Sequence, residues 1–130
     1  SAMATPRIFE SEYRFCQLLW ENEPIRSGAL VALCREKLNW KPTTTYTVIR
    51  RLSERGVVKN ENCVVTSLVS RVEAESAEVG ELLETRFQGS LPAFISAFSR
   101  LDRVSDADVD EMLRMIRQYR EENRHDEPTD

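Results

Sequence analysis

Apolar residues recur every three or four positions in six separate stretches of the chain. This spacing places them on one face of a helix and leaves polar residues on the other face. The predicted helices span residues 11–22, 27–39, 43–55, 75–88, 91–100 and 106–123. Ser11, Ser27 and Ser105 are predicted to cap three of these helices, and Gly56 is predicted to end the third.

Two β-prone runs, residues 57–59 and 63–68, follow the third helix and flank a turn cluster at residues 60–62. Helices followed by a hairpin in this order are typical of a winged helix-turn-helix. The sequence therefore predicts a mostly α protein with a small β-hairpin. Its winged helix-turn-helix DNA-binding domain spans residues 5–71, and a C-terminal helical dimerisation region spans residues 72–123. Residues 1–2 are interpreted as an expression scar and residues 124–130 as a frayed tail.

Charge is distributed unevenly along the chain. The 130 residues carry a net charge of −4, but residues 1–71 hold 11 basic and 7 acidic side chains, whereas residues 72–130 hold 7 and 15. Seven of the basic residues fall within residues 35–59, namely Arg35, Lys37, Lys41, Arg50, Arg51, Arg55 and Lys59. This asymmetry favours an N-terminal half that faces a polyanion, and an uneven solvated surface is the alternative.

The third predicted helix has the pattern of a major-groove reader. Thr45, Val48, Ile49 and Leu52 share its buried face, and hydroxyl, phenol and guanidinium groups share the opposite face. Such groups bond phosphates and the edges of bases. The predicted DNA contacts are Lys41, Thr43, Thr44, Tyr46, Thr47, Arg50, Arg51 and Lys59. A protein-binding winged helix is the alternative for this surface.

The C-terminal helices carry wide apolar stripes in a region too short for a stable core of its own. We therefore predict that they pack against a second copy and form a homodimer. The predicted dimerisation residues are Leu82, Leu83, Phe87, Leu91, Phe94, Ile95, Phe98, Val109, Met112, Leu113 and Ile116. An alternative is a regulator that binds a small molecule in a pocket lined by Phe87, Phe94, Phe98 and Tyr119.

Cysteine and histidine content argues against a metal site or an enzyme. Cys16, Cys34 and Cys63 lie too far apart in sequence for the usual ligand spacing. Cys16 and Cys34 fall at apolar helical positions, while Cys63 near the wing is expected to be a partly buried, inert thiol, with a thiol switch as the alternative. His125 is the single histidine. We expect no catalytic activity, no metal, no cofactor, no membrane insertion and a cytoplasmic location.

Residues 41–58 resemble the recognition helix and following strand of the BlaI/MecI/CopY repressors. The matching residues are Thr44, Thr47, Val48-Ile49, Arg51-Leu52 and Arg55-Gly56-Val57. Similar segments lie in the same order at residues 10–20, 89–98 and 109–116. The resemblance implies a bacterial homodimeric repressor that binds a dyad-symmetric promoter operator as double-stranded DNA. It also implies that Thr44, Thr47 and Arg51 contact DNA.

The resemblance bears on regulation in two places. The copper-sensing branch carries Cys-x-Cys pairs near its C-terminus, and residues 119–130 contain no cysteine. The β-lactam branch is cleaved at an Asn-Phe bond, and the equivalent bond here joins Ala97 and Phe98. The resemblance therefore implies a further partner, a membrane sensor protease. The bond that it would cleave joins Ala97 and Phe98, where Ala replaces Asn.

Overall fold

The computed structural model describes residues 4–124. Within these residues, six helices and three short strands follow one another in the order α1 (Glu10–Asn22), β1 (Ile25–Arg26), α2 (Ser27–Leu38), α3 (Pro42–Glu54), β2 (Val58–Glu61), β3 (Val64–Ser67), α4 (Arg71–Arg86), α5 (Leu91–Phe98) and α6 (Asp106–Glu122). The predicted fold class, a mostly helical winged helix with a small β element, is confirmed. The chain divides into two compact units after Leu82, so that α4 begins in the first unit and ends in the second.

The wing is a three-stranded antiparallel sheet in the order β1-β3-β2, instead of the predicted two-stranded hairpin. Ile25 of β1 pairs with Val65 of β3. A strand of two residues after Pro24 is too short to show an alternating pattern, so no periodicity predicts it.

The turn of the hairpin lies at Asn62 and Cys63, later than the predicted cluster at residues 60–62. Glu61 and Val64 pair across it, and the two turn residues have φ values of 54° and 63°. Two consecutive residues with positive φ are the signature of a type I′ hairpin turn, whose twist matches that of the strands.

Two of the predicted caps are wrong. Phe9, not Ser11, is the N-cap of α1, and its backbone N–H donates to the Glu12 carboxylate (2.9 Å). Ser27 is the buried first residue of α2, and its N–H donates to the Cys63 carbonyl (2.8 Å). Both serines therefore lie inside their helices and not at the N-cap position.

The predicted C-terminal end of α3 and the predicted N-terminal cap of α6 are confirmed. Gly56 follows the C-cap of α3 with φ +80°, a conformation that glycine adopts without steric cost. The Ser105 hydroxyl accepts a hydrogen bond from the Asp108 N–H (3.1 Å) and caps α6.

Helix α4 begins at Arg71, four residues before the predicted start at residue 75. Ser70 and Glu73 explain the difference, because they form a reciprocal capping box. The Ser70 N–H donates to the Glu73 carboxylate (3.0 Å), and the Glu73 N–H donates to the Ser70 hydroxyl (3.1 Å). The Ser-x-x-Glu spacing that marks this start was present in the sequence.

The core of the first unit lies between α1, α2, α3 and the sheet. Its fully buried side chains include Phe15, Leu19, Leu30, Leu52, Val57 and Val65, together with both helical cysteines. The predicted core role of Cys34 is confirmed. In the second unit, by contrast, neither α5 nor α6 buries any residue.

Candidate nucleic-acid interface

Helix α3 is held by the face that the sequence predicts to be buried. Thr45, Val48, Ile49 and Leu52 all lie in the core, and Leu52 is completely inaccessible to solvent. Pro42 occupies the first helical position, where its missing N–H is not needed. The register of α3 is therefore fixed, and with it the direction of every side chain on the outer face.

The outer face of α3 presents the predicted hydroxyl, phenol and guanidinium groups to solvent. Thr43, Thr44, Tyr46, Arg50 and Arg51 are exposed, and Thr47 is half-buried. The N-cap Lys41 is also exposed. The fold thus brings six of these predicted contacts together on one helix, with Lys41 at its start.

The positive charges on this face have no acidic partner in the part of the chain that the structure describes. Within residues 4–124, Lys41, Arg50 and Arg51 form no ion pair with any carboxylate. An unpaired guanidinium group can bind a guanine edge or a phosphate without first losing a protein partner. The side chains most central to the prediction are therefore available to an anionic ligand.

No side chain caps the N-terminus of α3 in the part of the chain that the structure describes. The N–H groups of Thr44 and Thr45 reach back to the Lys41 carbonyl at 3.0 and 3.3 Å. The positive end of the helix dipole lies beside Lys41, and the first turn contains no carboxylate to offset it. The dipole and the charge of Lys41 both favour a phosphate at this point.

Arg55 has a structural role that its place in the basic cluster did not reveal. Its guanidinium group forms an ion pair with the buried Glu12 carboxylate and donates to the Arg7 carbonyl (3.2 Å). The same group lies 4.7 Å from the centre of the Phe9 ring. Arg55 therefore fastens the end of α3 to the segment before α1.

Lys59 lies on the wing and differs from the cations of α3. Its ammonium group pairs with Glu61 at 2.9 Å, and both side chains are exposed. Contact with a phosphate would have to replace this pair, although an exposed pair of this kind costs little to break.

Arg26 is a further candidate, which the sequence pattern does not single out. It is exposed and forms no ion pair within residues 4–124. Arg26 pairs with Val64 and Lys59 pairs with Thr66, so the alternation of β3 places both cations on the same sheet face. The available signal was a lone arginine in a segment too short to be recognised as a strand.

The three thiols occupy different environments. Burial raises the pKa of the Cys16 thiol to about 12, and burial also raises that of Cys34, with a smaller opposing effect of the Thr45 hydroxyl. Cys63 is exposed in the wing turn, which corrects the expectation of a partly buried thiol. No group of three or more His, Cys, Asp or Glu side chains within residues 4–124 could hold a metal ion.

The predicted dimerisation residues fall into two classes of exposure. Leu83, Phe87, Phe94, Phe98 and Met112 are half-buried. The exposed members are Leu82, Leu91, Ile95, Val109, Leu113 and Ile116. Phe94 contacts Phe87 and Phe98, with ring centres 5.5 and 6.2 Å apart.

A model of the penicillinase repressor family matches residues 8–118. The chain belongs to this family. The match runs from the segment before α1 into α6, and it confirms the resemblance that residues 41–58 indicated. The penicillinase repressor family consists of transcriptional regulators. A search of the curated proteins finds no match.

Several predictions from the sequence concern features outside α3. In this member of the penicillinase repressor family, no helix within residues 4–124 is long and apolar enough to cross a membrane. Ala97 and Phe98 lie in the last turn of α5, where Ala97 is exposed and Phe98 half-buried. His125 and the proposed scar at residues 1–2 lie outside the described residues, as does the predicted frayed tail beyond Arg124.

Proposed function

We propose that this protein is a sequence-specific repressor that binds a dyad-symmetric DNA operator as a homodimer. One observation carries the proposal: a helix with a fixed register presents Thr43, Thr44, Tyr46, Arg50 and Arg51 outward, and its arginines form no ion pair within residues 4–124. Arg51 and Arg50 are the candidates for contact with guanine, while Lys41 and the first turn of α3 are candidates for contact with phosphate.

The homodimer supplies the second half of the proposed interface. One α3 helix reads a single half-site, and two copies related by a two-fold axis read a palindrome. The spacing between the two helices would then correspond to about 34 Å, one DNA turn, or a multiple of it. The predicted dimerisation residues of α5 and α6 support this arrangement, because a single chain leaves many of them exposed.

The decisive experiment selects bound duplexes from a randomised pool with the full-length protein and measures affinity for the enriched sequence. We expect a palindromic site. Arg51→Ala should weaken binding to it by about tenfold or more, since a good bidentate contact contributes about 1–3 kcal/mol of discrimination. Arg100→Ala is the matched control, because Arg100 is exposed and lies outside α3. Failure to enrich any sequence would refute the proposal.

Arg51→Lys separates base recognition from charge. Lysine keeps the positive charge but lacks the planar fork that binds guanine at two atoms. If Arg51 reads a base, the lysine variant should relax the sequence preference at one position of each half-site. Equal preference in both proteins would place Arg51 on a phosphate instead.

The salt dependence of binding tests the phosphate contacts. Each phosphate contact contributes about −0.9 to the slope of log affinity against log salt concentration. A homodimer carries two copies of Lys41, so we expect Lys41→Gln to make the slope less steep by about 1.8. Lys59→Gln should change it less, because Lys59 already has a partner in Glu61. A slope near zero for the unmodified protein would favour a protein-binding winged helix.

A further inference from the structure

A cleft of about 340 Å³ lies in the first unit, away from the outer face of α3. One wall is the segment at residues 4–8, and the other is α4, with Tyr13 of α1 also lining the cleft. Its volume is near the lower end of the range of small-molecule sites. All of the lining residues belong to the same compact unit.

The α4 wall of the cleft is largely apolar and contains several residues with small side chains. Ala74, Ala77 and Gly80 contribute little or no side chain to it. A Cβ atom added at Gly80 would meet no other atom within 4 Å. Ile8 and Pro6 add apolar surface from the opposite wall. The cleft therefore has room for a compact apolar group.

The charged side chains at the cleft are not balanced. Arg7 pairs with Glu81 at 3.3 Å, which leaves Glu78 as the remaining charged group of the lining. Glu78 is exposed and forms no ion pair within residues 4–124. The cleft thus combines an apolar floor with one unneutralised carboxylate.

We propose that this cleft is a binding site for a small organic cation with an apolar body, and that Glu78 is the counter-ion. The apolar body would lie over Ala77 and Gly80, and the ammonium group would lie at Glu78. The Tyr13 ring in the same cleft adds a surface that attracts cations.

The electrostatic field at Tyr13 supports this choice of charge. Burial raises the pKa of the Tyr13 phenol, and the Glu75 and Glu78 carboxylates raise it further, while Arg71 lowers it. Burial, the largest cause, disfavours a charge of either sign, whereas the two carboxylates disfavour an anion at this place and favour a cation. This argument is independent of DNA binding and selects an amine over a carboxylate ligand.

The test uses the full-length, isotope-labelled protein without DNA and follows amide chemical shifts by NMR. The probe is phenethylamine, which is a cation at neutral pH, and phenethyl alcohol is its neutral counterpart. We expect saturable shifts with the amine, confined to residues 4–8, Tyr13 and residues 74–81. The alcohol should bind at least about threefold more weakly, which is the scale of one exposed ion pair.

Two variants locate the site and its charge. Glu78→Gln should weaken amine binding by about threefold or more and leave alcohol binding unchanged. Glu84→Gln, the same change elsewhere on α4, should change the affinity for the amine by less than about twofold. Gly80→Leu should abolish binding of both probes by filling the cleft, and leucine suits a helix better than glycine does.

Several outcomes would overturn the proposal. One is the absence of saturable shifts up to about 10 mM amine, a concentration well above a millimolar dissociation constant. Shifts that map outside the cleft would also overturn it. Equal affinity for amine and alcohol would refute the role of Glu78, as would a Glu78→Gln variant that binds the amine normally.

Discussion

The Thr45 hydroxyl lies on the buried face of α3, and within residues 4–124 it has the Cys34 thiol as a polar neighbour but no nitrogen or oxygen partner. A buried hydroxyl whose neighbour is a weakly bonding thiol costs free energy, because water no longer solvates it. Thr45→Val removes the hydroxyl and keeps a side chain of the same shape. We expect the free energy of unfolding to rise by about 1 kcal/mol, measured by urea denaturation.

Thr45→Ser is the control for this prediction. Serine keeps the hydroxyl and loses the methyl group, so we expect the free energy of unfolding to fall by about 1 kcal/mol. A valine variant less stable than the unmodified protein would contradict the prediction. It would mean that the interaction with the Cys34 thiol offsets the cost of burying the hydroxyl.

Gly56 allows the chain to leave α3 with a positive φ. A Cβ at this position would approach only Pro6, at 4.0 Å, so the space is sufficient and the backbone conformation alone opposes a side chain. We expect Gly56→Ala to lower the free energy of unfolding by about 1–2 kcal/mol in thermal or urea denaturation. Gly80→Ala in the middle of α4 should instead raise it by up to about 1 kcal/mol. Equal effects of the two variants would show that φ at Gly56 is not the cause.

At the scale of single elements, the start of α4 depends on the capping box and therefore on pH. The hydrogen bond from the Ser70 N–H is the larger of two causes that lower the pKa of the Glu73 carboxyl. The Ser70 hydroxyl lowers it further. Because the folded pKa is below the unfolded value of about 4.3, this stabilisation is present above pH 4.3. It is lost as the pH falls through the lower, folded pKa.

The measurement is the exchange of backbone amides in the first turn of α4 between neutral pH and pH 3. We expect these amides to lose protection against exchange as the pH approaches 3, relative to the amides at the centre of the helix. Glu73→Gln should remove this pH dependence, whereas Glu84→Gln, at an exposed position further along α4, should retain it. An unchanged profile in Glu73→Gln would exclude the carboxylate as the cause.

The elements that could be predicted from the sequence are those whose pattern is long and regular. Thr45, Val48, Ile49 and Leu52 are buried as the helical projection predicts, because about two turns of α3 repeat the same spacing. The two-residue strand β1 has no comparable repeat. It forms because β3 offers an edge, which is a tertiary effect that local sequence does not encode.

The outward-facing residues of α3 could be predicted from the same helical spacing, but the pairing of the charges in the site could not. Lys41, Arg50, Arg51, Arg55 and Lys59 belong to one basic cluster in the sequence. Arg55 pairs with Glu12, which lies far away along the chain, and Lys59 pairs with its neighbour across one residue. Composition counts these charges equally, whereas only the fold determines which of them remain available to DNA.

For the whole molecule, the apolar surface of the second unit bears on the proposed dimer. Leu113, Ile116 and Tyr119 on α6 are 44%, 59% and 68% exposed. Burial of this face against a second copy would remove apolar surface from water, which is the main favourable contribution to association. A contiguous exposed apolar face of this kind is typical of an interaction site.

Leu113→Glu tests this face by placing a charge within it. We expect the variant to be a monomer by light scattering while it keeps its helical circular dichroism spectrum. Its operator affinity should fall by about a hundredfold or more, because the second DNA-reading helix would no longer be tethered to the first. Gln118→Glu adds the same charge on the opposite side of α6, so it should remain dimeric and bind the operator normally. A dimeric Leu113→Glu variant would place the interface elsewhere, and a monomer with undiminished affinity would show that a single α3 helix suffices for operator binding.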